Sequence, residues 1–209
     1  HRNTRRQRQM CIRDSPEYIP EGCPPSSSVT LDFDATKKNN SSLKMRWLDG
    51  GIRPPHPDLI PAKDSLGTPN SANGVMMIGS KGIITTGVYG FTPKLYVEGE
   101  ETVEFDTSNQ PGNEFGHQSK WVEACKSGFN SDEHKKLTSS FDYSGPMTET
   151  VLMGNIAIRS YMEMKTNKKG TSFFPGRKKL LWDGESMKIT NYSAANRYVR
   201  RSYREGWEV

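Results

Sequence analysis

The chain has 209 residues, a formal net charge of +5 and a hydrophobic share of 33%. That share is low for a globular protein, and no apolar run exceeds four residues, so the sequence predicts a thin, sheet-like core and no membrane-spanning helix. Residues 1–14 hold five arginines and one aspartate, which leaves only +1 for the rest of the chain and does not favour nucleic-acid binding.

The first 28 residues are predicted to be a disordered or artefactual tail and a linker. Residues 5–15, RRQRQMCIRDS, resemble a translated sequencing adaptor, so we expect neither their arginines nor Cys11 to contribute to function. Residues 16–28 contain four prolines and three serines, a composition that opposes regular structure. We therefore expect one organised domain over residues 29–209.

Period-two alternation of apolar and polar residues predicts strands in the first half of that domain, at residues 29–34, 43–49, 74–80, 82–90 and 94–97. The third and fourth strands are joined through Ser80 and Lys81 between two glycines, which is typical of a hairpin. No helical stretch between these strands is long enough for a parallel crossover. The pattern therefore predicts a single antiparallel sheet.

Helical periodicity marks the second half. Residues 113–126 predict a helix that ends at Gly128 and faces inward through Trp121, Val122 and Cys125. A second helix is predicted from a start at Ser144, with an apolar stripe formed by Met147, Val151, Gly154, Ile158 and Tyr161 and widened by Leu152 and Ile156 enough to lie on a sheet. Because glycine weakens a helix interior, Gly154 predicts close approach to another backbone.

Short extended pieces at residues 180–182 and 187–190 and a last short helix at 194–199 complete the predicted elements. Strands followed by helices indicate the α+β class, with an open, mainly antiparallel sheet and helices packed on one face.

The sequence contains no complete catalytic motif. No two glycines are separated by a single residue, so a GxGxxG fingerprint cannot occur, and neither GxxxxGK[ST] nor GxSxG is present. The three cysteines form no CxxC pair, which indicates neither a zinc site nor a disulfide framework. Among the histidines, His56 lies beside Arg53 and Asp58 in a proline-dense loop, a combination that suits an anionic or polyhydroxylated ligand; an ordinary loop histidine is the commoner alternative.

Five ordered segments resemble the C-terminal domain of Gfo/Idh/MocA oxidoreductases, in the bacterial-type branch. They are WLDGGIRPPHPDLIP at 47–61, NGVMMIGSKGIITTGVYGFTPKL at 73–95, GHQSKWVEACKSG at 116–128, SSFDYSGPMTETVLMGNIAIR at 139–159 and LLWDGESMKITNYSAANRYVRRSYREGW at 180–207. The resemblance covers residues 29–209. It departs from the family after His117, where Gln118 and Lys120 stand in place of an expected histidine and acidic residue.

The resemblance implies a two-domain parent enzyme, an NAD(P)-dependent dehydrogenase. Its N-terminal half holds NAD or NADP, and hydride passes between the nicotinamide and a sugar or cyclitol carbon. The family's Glu-Lys-Pro motif and its histidine with an aspartate four residues later are both absent here, so we expect no catalytic residue and no bound cofactor in this chain. A homo-oligomer formed through the sheet is also expected.

Loops and helix starts at one sheet edge are expected to face the cofactor half and to line the substrate cleft. On this ground the predicted substrate-binding residues are Arg53, His56, Tyr89 and His117. A non-enzymatic carbohydrate-binding or assembly module is the alternative. Its expected stacking surfaces are Trp47, Tyr89, Trp121 or Trp182.

Overall fold

The computed structural model describes residues 6–9, 22–37, 40–68, 73–106 and 116–207. Its strands are, in chain order, β1 Arg6–Gln9, β2 Ser28–Phe33, β3 Leu43–Leu48, β4 Gly74–Ile78, β5 Ile83–Gly87, β6 Lys94–Tyr96, β7 Val103–Glu104, β8 Lys165–Thr166, β9 Ser172–Phe173, β10 Leu181–Asp183 and β11 Lys188–Ile189. Its α-helices are α1 Gly116–Ser127, α2 Asp132–Lys135 and α3 Phe141–Met162. Short 3-10 helices cover Val88–Gly90 and Ser193–Tyr198. The fold is α+β, and every strand pair among the described residues is antiparallel.

The chain divides into two compact units. The first contains residues 1–52 and 144–209, and the second contains residues 53–143. The five predicted strands of the first half do not form one sheet, because β2 and β3 belong to a five-stranded sheet and β4, β5 and β6 belong to a four-stranded one. The prediction of a single sheet was therefore wrong. All five predicted strands are present, and their pairs are antiparallel as predicted.

The first unit is built on the five-stranded sheet, in the order β11-β10-β1-β2-β3. Within the stretch 1–28, the backbone of Arg6–Gln9 lies between β2 and β10 as β1, and the rest of residues 1–21, with Cys11, lies outside the described residues. Alternation places Val29 and Leu31 on one face of β2, where they pack in a core with residues of α3 and β10. Burial of each such side chain contributes about 1.5–3 kcal/mol.

Helix α3 begins at Phe141, three residues before the predicted start at Ser144. Its buried face consists of Met153, Ile156, Ala157 and Ser160. The predicted stripe was right in part, since Ile156 is buried and Ile158 packs against the same core, but Met147 is 57% exposed and Val151 is 62% exposed. The helix is apolar on several sides, so the sequence alone did not reveal which side meets the sheet.

Two glycines in this unit have opposite surroundings. A Cβ atom on Gly154 would lie 3.8 Å from Val29 Cγ1, which is ordinary van der Waals contact, and would meet no backbone atom. A Cβ atom on Gly176 would lie 1.8 Å from the carbonyl oxygen of Ser160. The close backbone approach predicted for Gly154 was therefore wrong, and it occurs at Gly176 instead.

The second unit contains the four-stranded sheet β4-β5-β6-β7 and the helices α1 and α2, which contact each other. The predicted hairpin between β4 and β5 is confirmed, with the Gly79 N–H donating to the Gly82 carbonyl at 3.0 Å. Helix α1 ends at Gly128 as predicted, where the glycine has φ +90° and its N–H donates to the Ala124 carbonyl.

The predicted inward face of α1 was wrong. Trp121, Val122 and Cys125 are all exposed, and Ala124 is the buried residue of this helix.

Within the described ranges, every helix falls short of the length and apolarity that a membrane crossing requires.

Candidate ligand-binding site

A loop of residues 53–68, which we call the proline loop, covers one face of the four-stranded sheet. Backbone hydrogen bonds from Ile60 to the Pro57 carbonyl and from Asp64 to the Pro61 carbonyl fold it into two turns. Ile60 is buried and packs against Ile83 and Tyr96 of the sheet. The prolines fix the backbone, and the apolar contact fixes the loop on the sheet.

A polar cluster joins the proline loop to β6 and β7. The Tyr96 hydroxyl donates to Asp64 Oδ2 at 3.0 Å, and Lys94 Nζ lies 3.9 Å from the same oxygen. Lys94 Nζ also lies 3.3 Å from Glu104 Oε2. Lys94 and Tyr96 are two positions apart on β6, so both side chains lie on the sheet face that the loop covers.

The surroundings of Lys94 and Tyr96 in the cluster raise the pKa values of both side chains. The hydrogen bond to Glu104 raises the pKa of Lys94, even though partial burial opposes the shift. Burial raises the pKa of Tyr96, and its bond to Asp64 raises it further, while a hydrogen bond with Thr85 works in the opposite direction. At neutral pH the cluster therefore presents an ammonium group, a neutral phenol and two carboxyl side chains.

His56 lies against the backbone of the same loop. Its Nδ1 is 3.2 Å from the Pro57 carbonyl oxygen and its Nε2 is 3.3 Å from the Asp64 carbonyl oxygen. A neutral imidazole has one N–H and can donate to one of these carbonyls, whereas an imidazolium can donate to both. The ring is thereby held at Asp64, the residue that contacts Lys94 and Tyr96.

The turn after β5 carries the most exposed ring of the site. Tyr89 has φ 56° and ψ 17°, a left-handed conformation that costs a non-glycine residue about 1–3 kcal/mol. Its side chain is 93% exposed, and it meets the ring of Phe91 edge to face with the centroids 6.5 Å apart. Strained backbone clusters at ligand-binding sites, and exposed apolar groups mark interaction surfaces, so this pair is a candidate ligand contact.

His56 and the Tyr89 turn are each connected to the proline loop, at different points along it. Thr68, at the end of the proline loop, accepts a hydrogen bond from the Val88 N–H at 2.9 Å, which ties the loop to the Tyr89 turn. Lys94 begins β6 shortly after that turn and reaches Asp64, against which His56 lies.

The other two predicted substrate-binding residues are not joined to His56 or Tyr89. Arg53 and His117 are both exposed, and none of the hydrogen bonds, ion pairs or ring contacts within the described ranges connects either of them with His56 or Tyr89. We therefore define the candidate site by the polar cluster, His56, and the pair Tyr89 and Phe91.

The sequence reasoning missed Asp64, Lys94, Tyr96 and Glu104. A usable signal was present, because the pairing of β5 with β6 places Lys94 beside Thr85 and Tyr96 beside Ile83, on the inward face. A lysine at an inward position requires a carboxylate partner. Asp64 is the nearest acidic residue of the preceding loop that could supply it.

Trp182 is not available as a stacking surface for the alternative module. Its side chain is buried in the core of the first unit, and its indole N–H donates to Glu149 Oε1 at 2.7 Å. Trp47 and Trp121 are both exposed.

The described residues do not form the Rossmann-type site that commonly holds a nicotinamide dinucleotide. Such a cofactor binds at the carboxyl ends of parallel strands beside a GxGxxG turn. The sequence lacks that turn, and the described strand pairs are all antiparallel. In the described part of the chain, no three His, Cys, Asp or Glu side chains converge as metal ligands.

The chain matches no protein-family model and no curated protein.

Proposed function

We propose that this chain is the substrate-binding part of an NAD(P)-dependent oxidoreductase of the Gfo/Idh/MocA type that acts on a sugar, a sugar derivative or a cyclitol. Its fold is then the C-terminal domain of that family, and the nicotinamide cofactor is held by another domain of a longer protein. The five resembling segments support the family, and the candidate site supports the substrate class. The observation that carries the substrate class is the exposed, strained Tyr89, in a turn that Thr68 ties to the proline loop.

A polyhydroxylated ring has two kinds of surface, and the site offers a partner for each. Its C–H face is apolar and packs on a flat aromatic ring such as Tyr89. Its hydroxyl groups both donate and accept hydrogen bonds. The ammonium of Lys94 donates, and the carboxyl groups of Asp64 and Glu104 accept.

Within this proposal the chain's residues bind and orient the substrate. Because Lys94 already faces two carboxyl groups, the cluster has little positive charge to spare for an anion. A neutral sugar or cyclitol is therefore the favoured ligand over a phosphorylated or carboxylated one.

The proposal includes a homo-oligomer formed through the four-stranded sheet. The sheet face opposite the proline loop is apolar yet open, and it carries exposed Val75, Met77, Ile84, Val103 and Phe105. Isolated exposed apolar residues are normal, but a contiguous face of this kind is typical of a subunit contact. A second copy of the same face is the partner that such a symmetric contact would take.

Ligand binding can be measured on the chain itself. Titration calorimetry with a panel of neutral hexoses and inositols is expected to give binding that Tyr89→Ala weakens by about tenfold or more, which corresponds to about 1.4 kcal/mol. Phe129→Ala is the matched control, since Phe129 is a ring outside the site that is 84% exposed. Equal loss in both variants, or no binding by any member of the panel, would contradict the substrate class.

Cofactor binding is tested separately. The chain alone is expected to bind neither NAD nor NADP in the same calorimeter, whereas the longer protein is expected to oxidise the bound sugar with one of them. A chain that binds a dinucleotide would overturn the assignment of the cofactor to another domain.

A carbohydrate-binding module without chemistry is the second candidate, and it rests on the same exposed ring. The two candidates differ in the longer protein. An upstream strand followed by GxGxxG, with sugar-dependent reduction of NAD or NADP, favours the oxidoreductase. An unrelated neighbouring domain with unchanged sugar binding favours the module.

A further inference from the structure

The charges of this chain are strongly segregated along the sequence. Residues 159–204 contain twelve lysines and arginines and three acidic residues. Residues 98–101, which we call the acidic segment, contain three acidic residues and no basic one. Neither feature includes a residue of the candidate site.

Five of the basic residues lie over aromatic rings, and one of them is Arg204, 4.2 Å from the centre of the Trp207 ring. The Arg177 guanidinium carbon lies 3.6 Å from the centre of the Phe174 ring, and Lys178 Nζ lies 5.0 Å from that of Tyr192. Arg159 and Arg197 both lie over Tyr198, at 5.3 and 4.7 Å. We call Arg159, Arg177, Lys178 and Arg197 the basic surface, and all four are exposed.

A buried carboxylate, Glu163, links two members of the basic surface. Glu163 is 6% exposed, its Oε2 lies 3.5 Å from an Arg197 nitrogen, and the Tyr192 hydroxyl donates to the same oxygen at 3.5 Å. The ring of Tyr192 carries Lys178 on its face. Arg197 and Lys178 are therefore linked through Glu163 and Tyr192, and the anion that the surface already holds is a carboxylate.

The stacking of these cations on aromatic rings indicates which kind of partner the basic surface binds. A guanidinium on a ring keeps its N–H fork pointing sideways, in the geometry that matches a carboxylate. The ring faces carry the protein's own cations, so they are poorly placed to stack nucleic-acid bases, which such binding would require. Carboxylates presented on a protein surface fit this chemistry better.

The acidic segment presents such carboxylates. Glu98 and Glu100 lie in a turn closed by the Glu100 N–H and the Val97 carbonyl at 3.2 Å, and Glu101 follows at once. All three side chains are exposed, and no ion pair within the described ranges engages them. Unpaired like charges so close together repel one another, and a cationic partner relieves that repulsion.

We propose that the basic surface of one copy of this chain binds the acidic segment of a second copy. The charge complementarity of the two features carries the assignment, and it is independent of the proposed oxidoreductase function. It is also distinct from the apolar sheet contact, because salt screens ion pairs and does not weaken apolar contacts.

Sedimentation velocity on the whole chain tests the contact. At about 50 mM salt we expect self-association that weakens by about tenfold or more at about 500 mM salt. Two variants are each expected to lose the salt-sensitive association. One is Arg177→Glu with Lys178→Glu, and the other is Glu100→Lys with Glu101→Lys.

Mixing the two variants is the decisive measurement. Each variant alone has repelling partners, but the unchanged acidic segment of the first meets the unchanged basic surface of the second, and their reversed charges also match. Association is therefore expected to return in the mixture. Recovery in the mixture also shows that both variants are folded.

The control is Lys168→Glu with Lys169→Glu, which changes the charge equally at two exposed lysines that no ring holds. It is expected to keep most of the association. The proposal is overturned by equal loss in this control, by variants that stay dissociated when mixed, or by association that salt does not weaken. A chain that stays monomeric at low salt but binds a single-stranded oligonucleotide would overturn it in favour of a nucleic-acid partner.

Discussion

The Tyr96 hydroxyl donates a hydrogen bond to Asp64 Oδ2 at 3.0 Å, and this bond fastens the proline loop to strand β6. Tyr96 is buried, so the hydroxyl has no ready access to water once its partner is removed. The bond therefore links the stability of the second unit to the shape of the candidate site.

Tyr96→Phe is expected to lower the free energy of unfolding by about 1–2 kcal/mol, because the ring still packs in the core while Asp64 loses its donor. Urea unfolding followed by circular dichroism measures the change. Tyr203→Phe, at an exposed tyrosine, is the control and should shift the midpoint by less than about 0.5 kcal/mol. Equal midpoints for Tyr96→Phe and the unaltered chain would show that the bond does not hold the loop.

The same cluster predicts a loss of stability at alkaline pH. The pKa values of Lys94 and Tyr96 are raised above their ordinary values of 10.5 and 10.0, so the folded state binds both protons more tightly than the unfolded state does. Their contribution is complete below pH 10.0 and is lost as the pH rises through the raised folded values.

Urea midpoints measured between about pH 8 and about pH 11 should therefore fall, and the fall should be smaller in Lys94→Met with Tyr96→Phe. Lys81→Met, at an exposed turn lysine, should retain the full alkaline fall. A double variant that falls as steeply as the unaltered chain would place the alkaline sensitivity outside the cluster.

Glycine substitutions are expected to have opposite effects at two positions of the first unit. Gly154→Ala should stabilise the chain by up to about 1 kcal/mol, because alanine is the better helix former and the new Cβ meets only ordinary contact. Gly176→Ala should destabilise it by several kcal/mol, about 3 or more, because the Cβ overlaps the Ser160 carbonyl. Thermal unfolding of the two variants side by side measures both, and a stabilising Gly176→Ala would refute the close backbone approach.

The strands were predictable because alternation depends on local sequence. Val29 and Leu31 occupy alternate positions and share the buried face of β2, and the glycines around Ser80 and Lys81 marked the hairpin. The division into two sheets was not predictable in this way. The partners of β2 include β1, and β1 pairs with β10 more than 170 residues away in the sequence.

The buried helix faces and the polar cluster could not be predicted from the sequence, for a related reason. In α3 large apolar residues occupy several sides, so Val151 fitted the pattern as well as Ile156 did, and only packing separates them. His56 and Tyr89 could be named from loop position and residue type. The meeting of Asp64 with Lys94 depends on where the proline loop lies across the sheet, which no local pattern records.

Replacement of Tyr89 by asparagine is expected to raise the stability of the chain and to weaken sugar binding. Asparagine tolerates the left-handed conformation better than tyrosine, so Tyr89→Asn is expected to raise the free energy of unfolding by about 1 kcal/mol while it weakens sugar binding by about tenfold or more. Phe91→Ala, at a residue with φ −66°, removes a ring without relieving strain and should not stabilise the chain. Urea unfolding and calorimetry on the same preparations measure both quantities. If Tyr89→Asn stabilised the chain and left binding intact, the strain would belong to the turn alone, and the exposed ring would have no part in holding the ligand.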